Sequence, residues 1–197
     1  MKNTGLLFVL AVLAALWLIP DPEVKRPPGV LVVEEPDQHD VVRPQPWEYK
    51  GFRVTPLAEF SIAARVLMRE RYWLGREARI SPMDLTLGWR LMSDSALLDK
   101  LRMYRGRRRF TWQPRARELP AKMEDIVSHS ANMHMIPASE PVADALARLR
   151  RGHVVRFQGY LVQVDAPDGW RWRSSLSRTD TGEGACELVW VTRLAAE

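Results

Sequence analysis

Val154-Val155-Arg156-Phe157-Gln158-Gly159-Tyr160-Leu161-Val162-Gln163-Val164 is the stretch on which the fold turns. Val155 and Phe157 share one face of a strand, and after Gly159 the apolar phase moves to Tyr160, Val162 and Val164. A phase change at a glycine predicts a β-bulge, where one strongly coiled strand serves two sides of a small barrel. Downstream, Ala166-Pro167-Asp168-Gly169 predicts a hairpin turn into a strand from Trp170 to Ser174, and Leu188 to Val191 supplies a last strand with no dominant face. Upstream, Ser139 caps a helix whose first turn holds Glu140 and Pro141. Val142, Ala145, Leu146 and Leu149 form its i, i+3, i+4, i+7 stripe, and Gly152 follows its basic last turn.

Further upstream, Phe60, Ile62, Ala64, Val66 and Met68 alternate with Ser61, Ala63, Arg65 and Arg69, the mark of a half-buried strand. Phe52 and Val54 before Pro56 predict a shorter strand leading in. Ser81 to Trp89 shows no clean period and reads as a packed loop. A short helix is predicted from Ser93 or Asp94, carrying Leu97, Leu98 and Leu101 inward, and Tyr104 to Trp112 reads as a basic strand. The sum is an α+β domain over residues 47–197, strand-rich, with two short helices and a coiled C-terminal sheet of oligomer-binding (OB-like) or similar small-barrel type. Its length of about 150 residues suffices for one core. Cys186 is the single cysteine, so no intramolecular disulfide holds that core together.

Residues 1–20 read as an N-terminal membrane helix. Lys2 precedes an apolar run from Leu6 to Ile19 that stops at Pro20, and bulky residues stand where a signal peptidase requires small ones. An uncleaved anchor, with residues 5–20 in a bacterial inner membrane, puts the rest of the chain in the periplasm. Residues 21–46, punctuated by Pro22, Pro27, Pro28, Pro36, Pro44 and Pro46, read as a semi-rigid spacer. Within it the β-branched patch Val30 to Val33 is a candidate edge strand.

Candidate chemistry is sparse. Ser128 to Met135 holds two of the four histidines, His129 and His134. Their spacing of five puts them on opposite faces of a strand and far apart around a helix, so a metal site would need an irregular loop and further ligands from Asp125, Glu124 or His153. No metal and no cofactor is assigned. Ser128 and Ser130 flank His129 without a G-x-S-x-G elbow. Cys186 with a histidine is the more serious nucleophile, although its alternation with Leu188 and Trp190 reads as a buried strand cysteine. The loop from Ser174 to Gly184 has the composition of an anion-binding nest, with Arg171, Arg173 and Arg178 adding charge, but lacks a P-loop lysine. Arg107 and Arg109 lie in a basic stretch interleaved with Tyr104, Phe110 and Trp112.

The net charge of +5 and these arginines favour an anionic partner. In a periplasmic protein that means anionic lipid, glycan or envelope protein rather than nucleic acid. The leading expectation is a membrane-tethered, non-enzymatic binding module using Arg107, Arg109, Trp112, Arg171, Trp172, Arg173 and Arg178. The alternatives are a metal- or thiol-dependent hydrolase using His129 and His134 with Cys186 or Asp125, and a structural component of an envelope assembly.

Three phrases carry a resemblance: Ser81-Pro82-Met83-Asp84-Leu85 with Gly88-Trp89; Ser128-His129-Ser130-Ala131-Asn132-Met133-His134; and Trp170-Arg171-Trp172 leading to Ser174-Ser175-Leu176-Ser177-Arg178-Thr179-Asp180. In these the chain resembles a group of small, membrane-anchored bacterial proteins without assigned activity. The likeness covers most of the region after Trp47 and implies a location but no catalytic residues.

Overall fold

The structure, a computed structural model, describes residues 22–115, 117–177 and 184–197. The membrane helix expected over residues 1–20 and the predicted site residue Arg178 lie outside them. Among the described residues no helix is long and apolar enough to cross a membrane.

The architecture is strand-rich α+β. The strands are β1 (Asp37–Asp40), β2 (Trp47–Tyr49), β3 (Phe52–Arg71), β4 (Met83–Gly88), β5 (Leu101–Gly106), β6 (Arg109–Pro114), β7 (Ser130–Pro137), β8 (Val154–Asp165), β9 (Arg171–Arg173) and β10 (Glu187–Ala196). Four short helices join them: α1 (Arg76–Ile80), α2 (Ser95–Leu98), α3 (Met123–Ser128) and α4 (Glu140–Ala147). The pairings close a ring that runs β3, β4, β7, β10, β8 and back to β3. Within it β7 and β10 are parallel and the other neighbours antiparallel. β5 and β6 form a separate two-stranded sheet.

The ring encloses the main core: Phe60 and Ile62 from β3, Leu85 and Leu87 from β4, Met133 and Met135 from β7, Phe157 and Leu161 from β8, Val189 and Val191 from β10. Val142 and Leu146 of α4 belong to the same cluster, as their helical stripe requires, although the helix ends at Ala147 rather than near Gly152. A second cluster joins Phe52, Val54, Ile136, Val162, Val164 and Leu188 to a tryptophan-rich layer including Trp47, Trp170, Trp172 and Trp190.

The phase change at Gly159 has a different cause from a bulge in its own strand. β8 is regular, and its odd residues Val155, Phe157 and Leu161 line the ring while Val162 and Val164 enter the second cluster. The register shifts fall in its partners, at Leu57 of β3 and Thr192 of β10. The shift at Leu57 moves the even residues of β3 from the second cluster (Phe52, Val54) to the ring interior (Ala58 to Val66), so one unbroken strand serves both. Gly159 is fixed by close approach, since a Cβ there would lie 1.8 Å from the Trp190 carbonyl oxygen.

Two further differences matter for the site. Ser81 to Trp89, read as a packed loop, contains β4, and the histidine segment contains β7, each buried along nearly its whole length. The basic stretch is a hairpin rather than one strand, with Arg107 and Arg108 as its two-residue turn between Gly106 and Arg109. Asp94 does cap a helix, α2, by accepting from the Ala96 N–H at 2.8 Å.

Residues 22–46 lie along the ring. The Val24 N–H donates to Arg151 O at 2.9 Å, Val32 is buried in the main core, and β1 pairs with β3. The edge strand of this segment is therefore Asp37–Asp40 and not Val30 to Val33.

Candidate active site

β4 and β7 each present one apolar and one polar face. Met83, Leu85 and Leu87 point into the ring and Asp84 and Thr86 away from it; Met133 and Met135 point in, and Asn132 and His134 out. The register sets Asp84 beside His134 and Thr86 beside Asn132, and β10 sets Leu188 beside His134, which brings Cys186 next to Asn132. This outward face is polar yet buried: Asp84 is 0 % and His134 5 % exposed. It is covered by the β5–β6 hairpin and by Trp172, whose ring centroid is 4.8 Å from that of His134.

Asp84 is the hub. Its Oδ1 accepts from His134 Nδ1 at 2.9 Å and from Arg108 Nη1 at 2.8 Å, and Arg105 Nη2 lies 3.7 Å from Oδ2. Arg108 also donates to Ser81 O at 3.0 Å, pairs with Glu77 at 3.1 Å and stacks 3.8 Å from the Tyr72 ring centroid. Arg105 donates to Asn132 Oδ1 at 2.9 Å and to Asp84 O at 3.2 Å. The Asn132 amide donates to Arg108 O at 3.0 Å and contacts Cys186 Sγ at 3.7 Å. Buried charges stand only when paired and hydrogen-bonded like this.

The hairpin turn shows what the arrangement costs. Arg107 and Arg108 both adopt left-handed backbone, at φ 49° and 59°. A two-residue turn of this kind prefers Asn-Gly, and each non-glycine residue costs roughly 1 kcal/mol. The turn places the Arg108 guanidinium on Asp84 and its carbonyl against Asn132, and those contacts offset the strain.

Cys186 completes the set. It precedes β10 rather than lying within it and is half-buried; its Sγ accepts from the Asn132 amide at 3.7 Å, donates toward Arg108 O at 3.9 Å, and lies near enough to the His134 imidazole to act on its proton affinity. Burial by itself would lower the pKa of His134, but the hydrogen bonds to Asp84 and Cys186 and their charges outweigh it and raise the value from 6.5 to about 9. The imidazole is thus held as a cation at neutral pH, with a carboxylate on one side and a sulfur on the other. A thiol, an imidazole and a buried carboxylate in series is an arrangement able to activate a nucleophile. Cys186 also opens onto a cleft of about 430 Å³ between β6 and the ring.

The predicted site residues fall into two groups. His134, Cys186, Trp172, Trp112 and Arg109 converge, the last two as walls of the cleft. The others lie elsewhere. His129 ends α3 with Nε2 3.5 Å from Glu35, a different carboxylate from the one that holds His134. Asp125 lies in α3, and the His153 Nδ1 accepts from the Arg150 N–H at 3.3 Å. No group of three His, Cys, Asp or Glu able to hold a metal is present among the described residues. Arg107 is in the turn and Arg109 opens β6, whereas Arg171 pairs with Asp165 at 2.7 Å and Arg173 donates to Gln163 at 2.8 Å on the far side of β9 from Trp172. Arg107 and Arg109 are therefore not successive same-face residues of one strand, whereas Arg171 and Arg173 both lie on β9.

Asp84 and Asn132 went unread in the sequence. The signal was the alternation Met83-Asp84-Leu85-Thr86-Leu87 and Ala131-Asn132-Met133-His134-Met135, which marks two strands with a polar face. Two of the phrases behind the resemblance supply Asp84, Asn132 and His134, and the third supplies Trp172. No protein-family model, curated protein or solved structure matches the chain.

Proposed function

We propose that the protein is a thiol-dependent acyl hydrolase or acyl transferase with Cys186 as nucleophile, His134 as acid and base, and Asp84 as the group that orients His134. The observation that carries this reading is the buried His134 Nδ1 to Asp84 Oδ1 contact of 2.9 Å on an imidazole that also meets Cys186. The sulfur adds to an acyl carbonyl as its proton is held on His134. Asn132, whose amide is 3.7 Å from Sγ, is the nearest side-chain donor for the developing oxyanion. Collapse expels the leaving group, which takes the proton from His134 and leaves a thioester on Cys186. Water then attacks the thioester with neutral His134 as base, releases the acid, and restores the thiolate–imidazolium pair.

The strand order supports a finer description of the fold as an OB-like barrel. Barrels of that type bind ligands on the face of their second and third strands, here β4 and β7, the face that carries the site. The apolar run from Leu6 to Ile19 supports tethering to the inner membrane with this domain in the periplasm.

Trapping tests the reading. On incubation with an activated ester, the intact mass of the protein should rise by one acyl group, mapped to Cys186, and both the adduct and ester turnover should vanish in Cys186→Ser and His134→Ala. Turnover unchanged in Cys186→Ser would overturn it. The other reading, a binding module for an anionic partner, draws on the exposed Arg107, Arg109, Arg171 and Arg173. It predicts salt-sensitive retention on heparin or anionic liposomes that is lost when these four become serine.

A further inference from the structure

The cleft beside Cys186 has two unlike sides. The ring contributes Cys186, Asn132 and Ala131, and the hairpin strand β6 contributes Phe110 and Trp112. Trp89 closes it; this ring is 1 % exposed and its indole N–H already donates to Glu35 at 2.7 Å, so it offers the cleft an apolar surface alone. Val127 of α3 adds a further apolar wall. Glu187 places a buried carboxyl on the same lining as Arg109. The volume of about 430 Å³ is in the range of small-molecule sites. Arg109 and Thr111 of β6 and Ser130 of β7 add polar groups to the same lining, so the apolar surface is the part formed by Phe110, Trp112, Trp89 and Val127.

The geometry points to this cleft as the acyl-binding site of the Cys186 centre, taking substrates whose acyl group is an uncharged alkyl or aryl group. The inference rests on Cys186 being the nucleophile. With the carbonyl carbon at Sγ, the acyl substituent runs between Phe110 and Trp112 on one side and Ala131 on the other, while the leaving group departs toward His134. Burying a benzyl-sized group there is worth enough to be seen in a rate, since about 1.4 kcal/mol is tenfold.

Because Cys186 is the only cysteine, maleimides of graded size read the cleft without any need for turnover. The full chain is labelled with N-methyl-, N-butyl- and N-benzylmaleimide, and each rate is divided by the rate of the same reagent with glutathione. The normalised rate should rise about tenfold from methyl to benzyl, and Phe110→Ala should abolish most of that rise. Fast labelling with a flat or falling series would overturn the apolar acyl site and leave the nucleophile in place. A Cys186 that reacts with none of the three would overturn both.

Discussion

The ring and the hairpin that covers it are built by opposite means. The ring is closed by backbone pairing, filled by Leu, Val, Phe and Met, and relieved at Leu57 and Thr192 by single-residue bulges. Among the described residues the β5–β6 hairpin pairs only with itself, and a lone two-stranded sheet is marginal in water. It is held by apolar contacts from Leu101, Met103 and Trp112 and by two arginines that reach a carboxylate on the ring. Its turn places arginine twice in backbone that glycine prefers. The difference teaches where to look for chemistry: left-handed non-glycine backbone also occurs at Lys50 and Arg90, but only in the hairpin turn does it come twice in succession and set a charged side chain on the buried Asp84.

Neighbouring residues on opposite faces of β4 sharpen that contrast most. Asp84→Ala would leave Arg105, Arg108 and His134 buried around a missing anion, and a loss of about 3–5 kcal/mol is expected. Leu85→Ala, facing the ring interior, should cost about 2–5 kcal/mol through its cavity alone. Urea denaturation measures both, and only Asp84→Ala should also expose the hairpin amides to rapid hydrogen exchange. An Asp84→Ala variant within 1 kcal/mol of the wild type would mean that the hairpin is not held by charge.

The next effect is a pH dependence. Folding raises the pKa of His134 from 6.5 to about 9, so the folded state holds that proton more tightly than the unfolded chain. The resulting stability is fully present below pH 6.5 and is lost as pH rises through about 9. The loss should be on the order of 3 kcal/mol. His134→Gln should flatten that decline, while the same scan of a ring-core variant such as Leu85→Ala should retain it.

The smallest effect belongs to the turn. Arg107, exposed and at φ 49°, gains nothing from the Asp84 network, so Arg107→Gly should stabilise the protein by about 0.5–1 kcal/mol. Arg108→Gly relieves the same strain but deletes the contacts to Asp84, Ser81 and Glu77, and a net loss is expected. A stabilising Arg108→Gly would reverse the relation drawn between strain and site.

The ring was largely legible from alternation, as in Phe60 to Met68 and Val155 to Val164, because one side of each strand faces apolar residues. The helix at Ser139 was legible from its stripe and the turn at Gly169 from its residues. The site was not, because it lies where a polar strand face is buried under another element. Asp84 and Asn132 look like surface residues until a hairpin lies over them, and nothing local to Arg105 and Arg108 says that their guanidinium groups turn inward. Cys186 and His134 are far apart in the chain and adjacent only because β10 pairs in parallel with β7, a long-range choice that no short window of sequence records.

The coupling of the three groups is tested most directly by the titration of the His134 ring, followed by NMR in the wild type and in Cys186→Ser. The wild type should titrate near 9, and the midpoint should fall toward 6.5 when the sulfur is removed, because both Cys186 and Asp84 hold the proton on the imidazole. A wild-type midpoint near 6.5, or one that Cys186→Ser leaves unmoved, would contradict a thiol–imidazole–carboxylate centre.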